Sequence, residues 1–407
     1  MSKRATVLVL ALLLVGATVS TASAKQGAKS DRYSWSEITA DAGWDADPAT
    51  ANGRAGLEAA QLGKDLFVIG GRTPNPPSFP PIFGDSTIRG DVWRSSDFGA
   101  TWERIVETGE AFPARAYHEV VTKDGKMFLI GGQNFDIEIN PFFDPFDPSS
   151  GPPFFDNTEF FTDVWSSPDG FTWTQLTADA GFEGRAGLSA IVFEGEIYVF
   201  GGSTANDPSI VGMGGPPRVY FGDVWKSSDG INWVEVNDDA PWAARAGASV
   251  TVKDGYIYLL GGEFGFTGFP PPYFNDVWRT TNGADWELVT ASADWSPRPG
   301  HQCQTLRGRI VCLGGFGQST NPADPFAPSN PMDMWESKDG ASWTQIAGTP
   351  WDATDPAEIK YDFDSLVVVN GGGGPAIYTF GGDRETFDFA DPFQFLNVDA
   401  DVWRFGQ

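Results

Sequence analysis

Ile197-Tyr198-Val199-Phe200-Gly201-Gly202, followed after an insert by Asp223-Val224-Trp225, is the stretch that decides the fold of this 407-residue chain. An apolar run ending in Gly-Gly recurs six times, at residues 66–71, 127–132, 197–202, 257–262, 310–315 and 377–382. The Asp-Val-Trp triplet (Asp-Met-Trp in one copy) recurs with it, at residues 91–93, 163–165, 223–225, 276–278, 333–335 and 401–403. Self-similarity at this spacing predicts an array of six structural repeats rather than several unrelated domains.

Each copy has the pattern of four short antiparallel strands, named a, b, c and d here in chain order. Strand a follows an Arg-Ala-Gly-like start, strand b runs into Gly-Gly, strand c carries Asp-Val-Trp, and strand d carries a second Trp. Asp254-Gly255 between a and b, and Ser228-Asp229-Gly230 between c and d, are typical turn sequences. The alternating apolar residues and the two Trp of each copy would pack neighbouring copies together.

The two ends of the chain predict how the array closes. The sixth copy stops at Gln407, just after its triplet, and therefore lacks a strand d. Ser34-Trp35-Ser36-Glu37-Ile38 resembles the missing strand. Pairing of this N-terminal strand with the last copy would remove the exposed sheet edges of an open array. The sequence thus predicts an all-β, six-bladed β-propeller that occupies residues 25–407 as a single domain.

The repeat resembles a known family. The Gly-Gly pair, the late Trp and the Asp-Val-Trp-x-Ser-x-Asp-Gly pattern are similar to the kelch repeat, and in particular to kelch-like repeats of exported bacterial proteins. The resemblance covers essentially all of residues 25–407. It implies the fold and leaves the activity open, because kelch propellers include adaptors, lectin-like binders and a few enzymes. Residues 95–102 also resemble the Asp-box of sialidases, which is a structural turn.

The N-terminus and the net charge predict where the protein works. Residues 1–24 have the layout of a signal peptide, with Lys3 and Arg4 before a short apolar run and Ala22-Ser23-Ala24 at the cleavage site. The alternative is an uncleaved membrane anchor, for which the apolar run is short. We expect a secreted or periplasmic monomer without membrane insertion. The net charge of −27 argues against nucleic acid and anionic lipid as partners.

The two cysteines occupy matching positions around a turn. Cys303 and Cys312 flank Arg307-Gly308, and counting outward from that turn makes them direct cross-strand neighbours. At a non-hydrogen-bonded pair such side chains come closest. In an oxidising compartment we expect a structural disulfide there, with two buried free thiols as the alternative.

All the large differences in length between copies fall on one face of the predicted propeller. Tracing the strands puts the b–c inserts, the d–a links and the start of strand a on this face, which we name the insert face. The inserts, rich in Phe, Pro, Asn and Asp, are residues 72–90, 133–162, 203–222, 263–275, 316–332 and 383–400. Variable loops on a rigid frame usually carry binding. The alternative is that their aromatic residues pack on one another and cover the blades.

An arginine begins strand a in five copies, and the sixth copy has Tyr361 there beside Lys360. Since strand a is innermost, we expect these arginines to ring the channel mouth on the insert face. By resemblance to kelch adaptors that grip acidic peptides, they could hold a carboxylate, sulfate or phosphate. The alternative is that each arginine pairs with a local carboxylate or carbonyl. The predicted ligand-binding residues are these arginines and the aromatic residues before four of them: Arg54, Arg115, Arg185, Arg245, Arg298, Phe112, Phe182, Trp242 and Trp295.

Candidates for chemistry are few. A period of two along strand a places Glu58, Glu119, Ser189, Ser249 and Gln302 on the channel wall, where the two glutamates would be the acid–base candidates of an enzyme. The alternative is that they are solvated lining or partners of the arginines. The two histidines, His118 and His301, share one repeat position, so we predict no metal site and no cofactor.

The sequence therefore favours an exported, non-enzymatic binding propeller that recognises a carbohydrate, an acidic ligand or a protein partner on the insert face. It predicts no catalytic residue for that role. The alternative is a carbohydrate-active enzyme, such as a sugar epimerase or mutarotase resembling the exported kelch sialic-acid epimerases. In that case Glu58 or Glu119 would move a proton and the arginines would orient the sugar.

Overall fold

A computed structural model describes most of the chain after residue 32. The described residues are 33–44, 53–75, 86–106, 108, 111–144, 146–151, 154–204, 219–265, 272–317, 332–351, 360–369, 371, 373–384 and 396–407. The predicted signal peptide, residues 1–24, lies outside them. Within the described part of the chain, no helix has the length and apolar character needed to span a membrane.

Six four-stranded antiparallel sheets form the blades, with strand a innermost, and the predicted six-bladed propeller is confirmed. The strands of blades 1 to 3 are, in order a to d, Glu58–Leu62, Asp65–Ile69, Val92–Ser95 and Glu103–Arg104; Glu119–Lys123, Lys126–Ile130, Val164–Ser167 and Thr174–Thr177; Ser189–Phe193, Glu196–Phe200, Val224–Ser227 and Val234–Asn237. Those of blades 4 and 5 are Ser249–Lys253, Tyr256–Glu263, Tyr273–Thr280 and Trp286–Thr290; His301–Leu306, Arg309–Gly314, Asp333–Ser337 and Trp343–Gly348.

Blade 6 closes the ring as the sequence predicts. Its strands a to c are Asp364–Val368, Ala376–Asp383 and Val398–Gly406, and its outermost strand is the N-terminal Ser34–Thr39. In this pairing Trp35 lies opposite Phe405. The first and last strands of the described chain therefore belong to one sheet, which leaves no blade incomplete.

The b–c inserts of blades 1 and 2 carry small hairpins of their own. Three pairs of short strands and a 3₁₀ helix are described there: Arg72–Pro74 with Ser86–Ile88, Gln133–Asn134 with Glu159–Phe160, Ile137–Ile139 with Phe154–Asp156, and Pro148–Ser150. Packing among their aromatic residues is partial, since Phe135 and Phe161 are buried but Phe142 and Phe146 are 82% and 93% exposed. Much of the other inserts lies outside the described residues.

One apolar core lies between each pair of neighbouring blades, so the hydrophobic interior is a ring of six clusters. Between blades 1 and 2, for example, Phe67 and Ile69 pack with Leu129 and Trp165. A single blade exposes both faces of its sheet, so burial occurs only when neighbours stack. Closure by the N-terminal strand matters because it completes the sixth of these cores, between blades 5 and 6.

The Gly-Gly pairs allow adjacent blades to approach each other. Gly70 and Gly71 both have positive φ, at 59° and 98°, a region that favours glycine. A Cβ on Gly70 would lie 2.6 Å from the backbone oxygen of Arg115 in the next blade, and the Gly71 N–H donates to that same oxygen at 2.9 Å. The equivalent hydrogen bond joins every neighbouring pair of blades, at 2.7–3.3 Å.

Cys303 and Cys312 are paired in register and joined by a disulfide, with their Cα atoms 4.1 Å apart. Both are buried, at 0% and 4% exposure. We expect the Cys303→Ala/Cys312→Ala variant to lose about 2–4 kcal/mol of unfolding free energy, because the bridge restricts the unfolded chain. Calorimetry of the variant beside the wild type measures this. Equal melting temperatures would show that the bridge does not stabilise the blade.

Candidate functional site

Each of the first five blades contains a buried ion pair between the arginine that precedes strand a and the aspartate of the Asp-Val-Trp triplet. In blade 3 the Arg185 guanidinium donates to both carboxylate oxygens of Asp223, at 2.5 and 2.9 Å, and to the Gly201 oxygen at 2.9 Å. None of the five arginines is more than 3% exposed. The pairs are Arg54–Asp91, Arg115–Asp163, Arg185–Asp223, Arg245–Asp276 and Arg298–Asp333.

Blade 6 uses a lysine instead, and this corrects the register expected for the sixth copy. Lys360, rather than Tyr361, takes the arginine position, since its backbone oxygen accepts the Gly315 N–H as the arginine oxygens do in other blades. Its ammonium group pairs with Asp401 at 2.5 Å and with Asp399 at 2.8 Å. The sequence prediction failed here because the Arg-Ala-Gly start is replaced by Lys360-Tyr361-Asp362.

The aromatic residues that precede the arginines are core residues. Each packs edge-on against the strand d Trp of the same blade, as Phe112 does on Trp173 with ring centroids 5.0 Å apart. Each is at most 3% exposed. Trp44 makes the same contact with Trp102 in blade 1, which the sequence pattern did not predict because the spacing to Arg54 is longer. The other pairs are Phe182–Trp233, Trp242–Trp286 and Trp295–Trp343.

The five arginines and four aromatic residues that the sequence predicts to bind a ligand are all buried in this structure. The arginines precede strand a on the insert face, but their guanidinium groups point into the blades, where carboxylates neutralise them. This geometry matches the alternative of local pairing. Ligand binding by these residues stays a prediction, and it would require side chains that are buried here to become accessible.

The predicted channel-lining residues do line the axis, and each also joins two blades. Asp364, which the sequence register missed, accepts the Ala59 N–H at 2.7 Å. Glu58 accepts the Val120 N–H, and Glu119 accepts the Ala190 N–H. The remaining three contacts are Ser189 Oγ to the Ala248 oxygen at 2.8 Å, the Cys303 N–H to Ser249 Oγ at 2.8 Å, and Gln302 Nε2 to the Phe363 oxygen at 3.1 Å. In every blade, one polar side chain therefore forms a hydrogen bond to the backbone or side chain of the next blade, and these contacts continue around the whole ring.

A cavity of about 270 Å³ runs along the axis between these side chains. Glu58, Glu119 and Asp364 come from blades 1, 2 and 6, so the carboxylates share one side of the cavity, and Ser189, Ser249 and Gln302 occupy the other. Burial and mutual repulsion raise the pKa of Glu58 and of Glu119 well above the usual value. Burial raises the pKa of Asp364 to about 7. Asp364 is therefore partly protonated at neutral pH.

Six residues surround the axis on the insert-face side of this cavity, and we name them the belt. It has one residue per blade, two after the buried cation, all with φ between 50° and 62°: Gly56, Tyr117, Gly187, Gly247, Gly300 and Asp362. Backbone hydrogen bonds of 2.8–3.1 Å pass from residue to residue along the belt, from Asp362 through Gly56 to Gly300. Four blades place glycine in this left-handed conformation, while two place Tyr117 and Asp362 there.

Tyr117, whose ring covers Gly56, and Asp362 form a polar network with Arg72 and Asp383. Arg72 Nε donates to the Tyr117 hydroxyl at 2.8 Å, and the tyrosine is hydrogen-bonded to the Asp362 carboxyl group. Arg72 also pairs with the fully buried Asp383. Burial and the charge of Asp383 raise the pKa of Asp362 to about 7, although Arg72 and Tyr117 oppose the shift. Burial raises the pKa of Tyr117 above its ordinary value.

This axial network, defined as Arg72, Tyr117, Asp362 and Asp383, is the candidate site. All four residues come from the adjacent blades 6, 1 and 2, while blades 3 to 5 have glycine at the belt position. A signal was present in the sequence: the second residue after the strand a cation is glycine in four copies and Tyr or Asp in two. Carboxyl groups with strongly perturbed pKa values are typical of functional sites.

The histidines have no part in this site. His118 and His301 are buried between blades, at 1% and 2% exposure. Burial, reinforced by Arg115, lowers the pKa of His118 well below its usual value, and burial lowers that of His301 to about 3. Among the residues with described positions, no three His, Cys, Asp or Glu side chains are grouped as a metal ion would need.

Six blades closed by the N-terminal strand, with a Gly-Gly contact and a buried cation–aspartate pair in each, define a six-bladed propeller of repeated four-stranded units. The KLHDC2/KLHL20/DRC7 Kelch-repeats domain matches residues 56–315, which is more than half of the chain. The chain therefore belongs to the kelch-repeat family.

The chain is also similar to one curated protein and to one solved structure. N-acetylneuraminate epimerase 1 of Escherichia coli O6:H1 is 26% identical over 216 residues, a match that covers 50% of this chain and 55% of that protein. The chain thus spans about half the length of the curated relative it matches. The solved structure of YjhT superposes with a TM-score of 0.57 at 16% identity and covers 87% of this chain and 94% of that one. At this identity YjhT supports the fold alone.

Proposed function

We propose that this chain is an exported kelch propeller that binds an acidic sugar of the sialic-acid class at the axial network. The observation that carries the proposal is the hydrogen bond between the side chains of Tyr117 and Asp362, on the face that bears the long inserts. Hydroxyl, carboxyl and guanidinium groups there suit a polyhydroxylated ligand. The binding role is the one that the sequence favours, with the site moved from the buried arginines to the belt.

The charge of the network is compatible with an anionic ligand. Arg72 and Asp383 neutralise each other, and Asp362 has a pKa of about 7 and is therefore partly protonated at neutral pH. The site consequently does not carry the strong negative charge that the composition of the whole chain would suggest. The sialic-acid class is supported by the relative whose name specifies N-acetylneuraminate. Export is supported by the Cys303–Cys312 disulfide, since such bonds persist in oxidising compartments.

A second candidate function is epimerisation or mutarotation of the same sugar. It is favoured by one observation, the hydrogen bond between the Tyr117 hydroxyl and a carboxyl group whose pKa lies near neutrality. Such a pair can give and take protons at physiological pH. The earlier acid–base candidates, Glu58 and Glu119, each hold a backbone N–H of the next blade, so they already have a structural role.

We expect purified protein to bind N-acetylneuraminate and to bind uncharged N-acetylmannosamine more weakly, as measured by calorimetry. Tyr117→Gly should weaken the binding of N-acetylneuraminate about tenfold, because it removes the ring and hydroxyl from the mouth. Glycine occupies this belt position in four blades, so the variant should remain folded. Glu194→Gly is the matched control, since Glu194 also has positive φ, at 51°, but lies exposed in an a–b turn on the opposite face.

Two results would contradict the proposal. Absence of binding to any acidic sugar would reject the ligand class. Equal affinity of the wild type, Tyr117→Gly and Glu194→Gly would place the sugar away from the axial network.

A further inference from the structure

The insert of blade 2 forms a hairpin over residues 133–160, which we name the aromatic hairpin. Its base is fixed to the blade. Phe161, which follows the hairpin, is buried, and the Arg115 guanidinium lies 4.0 Å from the centroid of its ring. The Phe161 N–H also donates to the Gly132 oxygen at 2.9 Å. The hairpin is therefore attached firmly to the propeller at one end and extends from the insert face at the other.

The outer part of the hairpin exposes phenylalanine. Phe142 and Phe146 are 82% and 93% exposed, and Phe143 and Phe155 are 41% and 43% exposed. In the described part of the chain only one further phenylalanine, Phe264, is as exposed. Single apolar side chains on a surface are ordinary, whereas a group of them marks a place where another molecule binds. The aromatic hairpin is such a group.

Side-chain hydrogen bonds hold the tip of the hairpin in place. Asn140, Asp144 and Asp147 each accept the backbone N–H of the second residue after them, at 3.0, 2.9 and 2.9 Å. The donors in the first two bonds are Phe142 and Phe146, the two most exposed aromatic residues. Contact residues whose positions are fixed in advance lose less conformational entropy when a partner binds. The tip therefore presents its rings as a preformed surface.

The charge of this region determines which partner it fits. Between residues 127 and 184 the sequence has ten acidic residues and neither lysine nor arginine. Because like charges repel, such a surface disfavours anionic lipid and a second copy of this chain, whose net charge is −27. It attracts a cationic partner instead. The acidic residues exposed on the hairpin are Asp136, Glu138, Asp144, Asp147 and Glu159.

One cross-strand pair shows how a cationic side chain would be held. Glu138 and Phe155 lie opposite each other in the hairpin register, so their side chains share one face, and both are exposed. A guanidinium group stacked on the Phe155 ring would have the Glu138 carboxylate beside it. Arginine suits this arrangement better than lysine, because its planar group can stack on a ring and pair with a carboxylate.

We propose that the aromatic hairpin docks a protein partner through a segment that combines arginine with large apolar residues. Phe142 and Phe146 contact the apolar residues of that segment, while Glu138 and Phe155 hold an arginine. The hairpin shares no residue with the axial network, and its preferred partner is cationic, unlike the acidic sugar proposed for that network. Docking on the hairpin is therefore a separate function of the same face.

The test uses a short synthetic peptide of alternating arginine and tryptophan, blocked at both ends, and measures its affinity for the protein by calorimetry. Two control peptides replace every arginine by glutamate or every tryptophan by serine. We expect the arginine–tryptophan peptide to bind at least about tenfold more tightly than either control, because both kinds of contact are needed. Its affinity should fall as salt is added, since exposed charges are screened.

Two variants of the hairpin locate the binding. Phe142→Ser/Phe146→Ser removes the exposed rings and should weaken peptide binding at least about tenfold. Asp144→Asn/Asp147→Asn removes two charges but keeps the oxygens that accept the N–H groups of the tip, and should weaken binding by about threefold to tenfold at low salt. All four side chains are exposed, so both variants should keep the wild-type melting temperature.

Matched controls come from the opposite face of blade 3. Ile231 is 48% exposed in the turn between strands c and d, and Glu194 is exposed in the turn between strands a and b. Ile231→Ser and Glu194→Gln should leave the affinity for the peptide unchanged. All of these variants should bind N-acetylneuraminate as the wild type does, because none alters the axial network.

Several results would overturn the proposal. Absence of binding to the arginine–tryptophan peptide, or equal binding of the glutamate–tryptophan peptide, would reject a cationic partner. Peptide binding that survives in both hairpin variants would place it elsewhere on the acidic surface. Self-association of the wild type that Phe142→Ser/Phe146→Ser abolishes would identify a second copy as the occupant. Binding to phosphatidylcholine vesicles that the same variant abolishes would identify a lipid surface.

Discussion

Arg185→Ala should lower the free energy of unfolding by about 3–5 kcal/mol, because it removes one partner of a buried ion pair and leaves the other uncompensated. Arg185 is 1% exposed and holds both oxygens of Asp223 as well as the Gly201 carbonyl. Its guanidinium also stacks on the Phe221 ring, 3.9 Å from the centroid. Loss of all these contacts would separate strands a, b and c at the insert-face end of blade 3. Urea denaturation of the variant and the wild type measures the difference.

The control is another arginine in an exposed pair. Arg279 bonds Glu287 at 2.8 Å, but these side chains are 26% and 58% exposed. Arg279→Ala should therefore change the unfolding free energy by less than about 1 kcal/mol. If Arg185→Ala instead kept its stability and abolished ligand binding, the arginines would be ligand-binding residues, as the sequence predicted, and the local-pairing interpretation would fail.

The repeated cation–aspartate pair explains why the Asp-Val-Trp triplet recurs. In each blade the Trp of the triplet donates its indole N–H to the same aspartate, as Trp225 does to Asp223 at 2.8 Å. The aspartate thus connects strand a to strand c, while the Trp carries the contact to the blade interface. The aspartate of this motif therefore stabilises the inside of the blade, although a charged residue in a sequence usually indicates a position on the surface.

The sequence predicted the fold because its signals are local. The Gly-Gly runs, the Asp-Val-Trp triplets, the orphan strand around Trp35 and the turn between Cys303 and Cys312 are each visible in a short segment, and the structure confirms the blades, the closing strand and the disulfide that they predict. Each of these signals depends on residues that are close together in the chain. Because the motif occurs in six copies, an error in aligning one copy does not change the predicted fold.

The site depended on contacts that no local pattern shows. Arg54 and Asp91 are 37 residues apart and Arg115 and Asp163 are 48 apart, since inserts of different length separate them. Both members of each pair were visible in the sequence, but their contact was not. In the sixth copy a shift of one residue placed Tyr361 where Lys360 belongs, which also hid Asp364 and its equivalence to Glu58.

Tyr117 and Asp362 were missed for a related reason. Their equivalence with Gly56 appears only when the six copies are aligned at the buried cation, and the sixth copy was out of register. Their contact joins blade 2 to blade 6 across the intervening blade 1, so it exists only in the closed ring. The departures from a repeat, rather than the repeat itself, mark where this propeller is specialised.

The stability of the propeller should increase as the pH falls from about 8 to 6.5, in contrast to ordinary acid unfolding. The pKa values of Asp362 and Asp364 are raised from 3.8 to about 7 in the folded chain, and those of Glu58 and Glu119 are raised well above 4.5. Between the unfolded and folded values, the folded state binds protons that the unfolded state does not. Each such proton adds about 1.4 kcal/mol of stability per unit decrease in pH.

Histidine acts in the opposite direction and limits the effect at lower pH. The pKa values of His118 and His301 are depressed from 6.5 by burial, so below about pH 6.5 the unfolded chain binds protons that the folded chain excludes. Stability contributed by the neutral histidines is therefore lost as the pH falls through that range. Two histidines oppose four carboxyl groups, so the increase should become shallower below pH 6.5 but should not reverse until the pH approaches the unfolded carboxyl values near 4.

Melting temperatures measured in matched buffers from pH 8 to 5 test this expectation. The variant Glu58→Gln/Glu119→Gln/Asp364→Asn keeps oxygens that can accept the backbone N–H groups of the next blades but cannot ionise. It should be more stable than the wild type at pH 8 and should lose most of the slope between pH 8 and 6.5, with Asp362 supplying the remainder. A wild type that loses stability over that interval would show that the three channel carboxyl groups are still ionised at pH 6.5, because no proton uptake by the folded chain would then stabilise it.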